Sequence, residues 1–128
     1  MSRTLVPVRL LVDMPAIRAY ALITADFNPI HVDPGFAAAT PMGGVIAHGT
    51  LSLNLIWQSI ARTFGQAQLE GWSLDVRFTR PVRAGDTVEA AGTESTTRPG
   101  TFEVWVRNQD GAAVIEGTAS RTQSPANR

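Results

Sequence analysis

The apolar positions change period along this chain, and each change marks an element. Residues 4–12 mix valine and leucine with arginine and end at Asp13, which predicts a first strand. Asp13 then reads as a helix N-cap, with Pro15 tolerated in the first turn and Ile17, Tyr20, Ala21 and Thr24 on one face. That helix is expected to run to about Leu22. Residues 23–34 have no period, and Asn28-Pro29 and Asp33-Pro34 are turn or cap signals, so an ordered loop is predicted. Asp33 caps a brief helix over 36–39, and TPMGG follows as a Pro/Gly loop.

In VIAHGTLSLNLIWQSIARTFG, the side chains of Leu51, Leu53, Leu55, Ile56, Trp57, Ile60 and Phe64 cover most directions around a helix. A helix apolar nearly all round is a buried one. Gly49 and Thr50 mark its start and Gly65 its stop. At roughly 22 Å it is too short to cross a bilayer, so protein must wrap it. The second half of the chain supplies the wrapping. Trp72, Leu74, Val76 and Phe78 alternate with polar residues, the period of a half-buried strand. After a turn over 81–86, strands are predicted over 87–96, around Phe102, Val104 and Val106, and over 112–121 beyond the hairpin signal Asp110-Gly111. The tail, 121–128, is expected to fray. One strand, small helices, a long apolar helix and four antiparallel strands make an α+β order, with about five strands curled around one helix. At 128 residues the chain fits one domain, 1–128.

Composition narrows the function. Eleven acidic and 11 basic residues give no formal net charge, which leaves no basic footprint for nucleic acid or anionic lipid. All the basic residues are arginine, so a lysine Schiff base is excluded. The absence of cysteine excludes a thiolate nucleophile or thiolate metal site and fits a reducing compartment. The N-terminal apolar run is too short and interrupted for a signal peptide or membrane span, and a soluble cytoplasmic protein is expected.

The chemistry concentrates in ADFNPIHVDP, residues 25–34. An aspartate and a histidine five residues apart on a rigid turn can converge on one water, and Asn28-Pro29 supplies that turn. Asp33 is explained by its capping role. Asp26, Asn28, His31 and Asp33 also have metal-ligand chemistry, but one histidine with no second ligand group falls short of a metal site. Ser52 and Ser59 follow His48 without a G-x-S-x-G elbow, so serine hydrolase chemistry is not indicated. Gly49 opens the long helix, where free N–H groups and the positive dipole end favour a developing negative charge.

The run Asp26-Phe27-Asn28-Pro29-Ile30-His31, then Val32-Asp33-Pro34, then Ile46-Ala47-His48-Gly49 heading the apolar helix, resembles the MaoC-like hydratase/dehydratase family, including the (R)-specific enoyl-CoA hydratases. The resemblance extends from the first helix through the last strand. It implies the hot-dog fold, a homodimer or an assembly of dimers joined edge to edge, and active sites at the subunit interface. The implied substrate is an acyl thioester of coenzyme A or acyl carrier protein, with no metal or organic cofactor. By matching positions, Asp26 and His31 are the catalytic pair that binds one water between them, and the Gly49 N–H is the oxyanion donor. Asn28 and His48 support the loop, His48 as a hydrogen-bonded, partly buried histidine. The reaction implied is hydration of a trans-2-enoyl thioester or the reverse dehydration of a 3-hydroxyacyl thioester. One departure stands out: where compact hydratases often carry a serine that hydrogen-bonds the catalytic aspartate, counting from His48-Gly49 gives Trp57. Its indole N–H, or Asn54 or Gln58, is a candidate replacement, and Trp57 with Asn54 is expected to border the substrate pocket. A catalytically weak thioester-binding subunit and a hot-dog thioesterase are the competing readings.

Overall fold

The computed structural model describes residues 3–122, so most of the tail expected to fray, from position 123 on, lies outside the described residues. Five strands, β1 (Val8–Val12), β2 (Trp72–Phe78), β3 (Asp86–Glu94), β4 (Thr101–Arg107) and β5 (Ala113–Arg121), form one antiparallel sheet in the order β1-β3-β4-β5-β2. Four helices accompany it: α1 (Met14–Thr24), α2 (Pro29–Val32), α3 (Pro34–Ala38) and α4 (Gly49–Phe64). The sheet curls around α4, which packs on β1, β3 and β4 in the hot-dog arrangement. Ile56 and Ile60 of α4 meet Val12, Val88, Val106 and Ile115 of the sheet, all essentially without solvent exposure. Each such side chain contributes roughly 1.5–3 kcal/mol by leaving water.

Several boundaries differ from the sequence expectation for identifiable reasons. β1 starts at Val8 rather than residue 4, because Pro7 has no N–H to offer a ladder. The segment before it still leans on β3 through the Leu5 N–H to Gly92 carbonyl bond at 2.9 Å. α1 runs on to Thr24 and ends where Ala25 adopts a left-handed conformation (φ 54°). The loop predicted over 23–34 is itself capped twice, as Asn28 caps α2 and Asp33 caps α3. α4 is not enclosed all round: Ser52, Leu55, Ile56, Ser59 and Ile60 are buried, whereas Asn54 and Gln58 are exposed. Two hydroxyls on α4 pin the chain before β1, with Ser59 donating to the Val6 carbonyl and Thr63 accepting the Val6 N–H at 2.8 Å.

Close approach of β2 to β5 depends on a glycine. A Cβ at Gly117, opposite Val76, would overlap the Asp75 carbonyl and lie 2.6 Å from the Val76 Cα. At the far end of β2, Phe78 lies beyond the sheet-covered part of α4, and its ring rests over Gly49.

Candidate active site

Four short-range hydrogen bonds hold the segment between α1 and α3. The Asp26 N–H bonds the Ala21 carbonyl at the end of α1 (3.1 Å). The Asp26 carboxylate accepts the Asn28 N–H at 3.2 Å, and the Asn28 side chain accepts the Ile30 N–H at 3.1 Å. The His31 N–H then closes the turn on the Asn28 carbonyl at 2.8 Å. Side-chain oxygens bonding the backbone two residues on explain why Asp and Asn stand where they do. They leave Asp26 exposed and His31 half-buried.

His31 and His48 stack, with ring centroids 3.9 Å apart and planes inclined by 27°. Their hydrogen bonds assign their tautomers. His31 Nδ1 lies 2.7 Å from the Ile46 carbonyl, and since a carbonyl only accepts, Nδ1 carries a proton. His31 Nε2 is therefore the nitrogen free to act as a base. His48 bonds through its other nitrogen: Nε2 donates to the Asp26 carbonyl at 2.9 Å, and Nδ1 is buried with no partner among the described residues. Tyr20 meets the edge of His48 at a centroid distance of 5.1 Å and donates to Thr50 at 2.7 Å, which ties α1 to the start of α4.

Polar atoms of Asp26, His31 and His48 all lie within 4.8 Å of one another. His48 is thus a member of the cluster that spacing alone left beside it, and Asp33, committed to its cap, is not. Stacked imidazoles send their in-plane lone pairs along separate lines, a poor match to the convergent donors of a tetrahedral metal site.

A cavity of about 380 Å³ opens beside this cluster. His31, Gly49 and Ser52 line it with Met42, Phe78 and Arg80. Gly49 is the first residue of α4, so its N–H has no acceptor within the helix. His31 and the first residue of α4 therefore line one largely apolar space.

Trp57 and Asn54, expected at the substrate pocket, line a different cavity of about 730 Å³ with Leu10, Tyr20, Ile23 and Gln58. The reason is helical geometry: Trp57 is five residues past Ser52, about 140° round α4 at 100° per residue. Among the described residues, neither Trp57, Asn54 nor Gln58 bonds Asp26; Asn54 donates to the Tyr20 hydroxyl at 3.3 Å. The support expected from them comes from the Asn28 N–H and His48. Sequence reading passed over Ser52 and Phe78 as pocket residues. Ser52 was legible as a polar position one turn past Gly49 in an apolar helix, whereas Phe78 looked like one more inward strand residue.

Comparison with known proteins follows the same lines. The chain is 33% identical over 109 residues to the (R)-specific enoyl-CoA hydratase of Aeromonas caviae, covering 80% of each protein. It is 41% identical over 70 residues to the 3-hydroxybutyryl-CoA dehydratase of Methylorubrum extorquens, a match spanning 55% of this chain and 45% of the dehydratase. Among solved structures, the unliganded R-hydratase of Pseudomonas aeruginosa superimposes with a TM-score of 0.79 at 27% identity, over 96% of this chain and 83% of that one. The family described as "MaoC like domain" matches residues 4–115, and the chain belongs to it.

Proposed function

We propose that this protein is a hydro-lyase that adds water to trans-2-enoyl thioesters, giving (R)-3-hydroxyacyl thioesters, and catalyses the reverse dehydration. The observation that carries the reading is His31 and the Gly49 N–H facing one cavity with Asp26 beside them. In hydration, a water held between the Asp26 carboxylate and His31 Nε2 gives up one proton as its oxygen bonds C3. Electron density moves onto the thioester oxygen at Gly49, and a proton returned from the pair to the same face of C2 completes the addition. The names of relatives at 33% and 41% identity support this class of reaction. The carrier is coenzyme A or acyl carrier protein, and the working form is a homodimer or an assembly of dimers in the cytoplasm. Among the described residues no helix is long and apolar enough to cross a membrane.

The test is direct. With crotonyl-CoA, the enoyl absorbance should fall without release of free thiol, and chiral analysis should give the (R) product. Thiol release at the same rate would instead make the protein a thioesterase.

A further inference from the structure

Ser52 is only 1% exposed, and among the described residues its hydroxyl has no hydrogen-bond partner. A buried, unsatisfied hydroxyl is costly and uncommon, and Ser59, two turns along the same helix, shows the ordinary solution by donating to the Val6 carbonyl. Helical side chains lean toward the N-terminus, so Ser52 lies over the turn that begins at Gly49. Both residues line the cavity that contains His31. Gly49 leaves that turn without a side chain, and a Cβ placed there would meet the Phe78 ring at 3.0 Å.

We infer that Ser52 is a catalytic residue, a second donor to the thioester oxygen that completes with the Gly49 N–H a two-donor oxyanion hole. The inference rests on the hydratase reading above. As hydroxide oxygen bonds C3, the double-bond pair shifts to C2 and the carbonyl oxygen takes up charge; the Ser52 hydroxyl, idle in the free protein, donates to that oxygen. When C2 is protonated the charge returns and the bond weakens. A donor without a ground-state partner is suited to this task, because no internal bond has to break when the charge develops.

Ser52→Ala, Ser52→Cys and Ser52→Thr test it against wild type on crotonyl-CoA. Alanine is expected to lower kcat by about a hundredfold, the lower end of the range for loss of one oxyanion donor, with KM changed less than about threefold. Its Tm should stay level or rise, because the hydroxyl removed is unsatisfied. Cysteine, nearly isosteric but a weak donor, should lose activity similarly, and threonine, which keeps a hydroxyl, should recover most of it. Acetoacetyl-CoA supplies a second readout, since the donor pair should enrich its bound enolate band and both Ser52→Ala and Ser52→Cys should reduce it. Wild-type kcat in a folded alanine or cysteine variant overturns the inference and leaves the hydratase reading standing. A wild-type protein that hydrates no enoyl thioester sinks both.

Discussion

The two histidines meet face to face, yet each donates through a different ring nitrogen. His31 gives its Nδ1 proton to Ile46 and keeps Nε2 free; His48 gives Nε2 to the Asp26 carbonyl and keeps a buried Nδ1. The first arrangement suits a base and the second a strut. Asp26→Asn and His31→Ala should therefore each lower turnover at least about a hundredfold, the lower range for a positioned acid or base. In the proposed reaction both act on one water, so the double variant should be little worse than the worse single one in steady-state assays, and strictly multiplied losses would argue for separate roles. The acid, amide and histidine of residues 26–31 were legible because the local hydrogen bonds that hold them span only two or three residues. The bonds that distinguish the histidines cross 15 and 22 residues, from His31 to Ile46 and from His48 to Asp26, and no local pattern carries such information.

Helix α4 borders both the cavity that contains His31 and the one lined by Trp57, and its sides should respond differently to substitution. At its first residue, alanine would restrict the unfolded chain more than glycine does, worth roughly 0.4–1 kcal/mol where the backbone conformation is compatible. The added Cβ, however, would sit 3.0 Å from the Phe78 ring, crowding the space that a thioester oxygen would enter in the proposed reaction. Gly49→Ala should hold or raise Tm while lowering kcat/KM by tenfold or more, and equal loss of both would mean that the ring cannot move aside. On the other flank, Trp57 packs on the core and lines the cavity beside α1. Trp57→Ser should cost a few kcal/mol of stability by the cavity it leaves. It should not alter acyl-chain preference across a panel of thioesters; a shift toward longer chains would place Trp57 against substrate after all. The sequence made α4 plain as an apolar 16-residue helix with glycine at both ends. Which flank faces which cavity depends on Tyr20 and Ile23 of α1 lining one and Phe78 of β2 lining the other, a tertiary fact that periodicity does not contain.

For the whole molecule, the unresolved business of the fold is its sheet edges. β1 and β2 end the five-stranded order, and an open edge offers unpaired N–H and carbonyl groups to another strand. β2 is the edge nearer the proposed site, since it ends at Phe78, 55% exposed and resting over Gly49. Bonds to β5 alternate along it: the Thr79 N–H reaches the Val114 carbonyl at 2.9 Å, and the register pairs Phe78 with Ile115 and Val76 with Gly117. In an antiparallel ladder this alternation turns the N–H groups of Leu74, Val76 and Phe78 away from β5, toward the free edge. Pairing of two such edges would extend the sheet across a two-fold axis and bring a second copy against the mouth of the cavity. Light scattering should then give at least twice the 13.7 kDa chain mass. Val76→Pro removes one outward N–H while sparing the bonds to β5, so it should shift the mass toward that of a single chain with the strand signal in circular dichroism retained. Val76→Ala, which trims the same side chain but keeps the N–H, should stay paired. Specific activity should follow the paired fraction on dilution, and a single chain with full turnover would show that the site is complete without its neighbour.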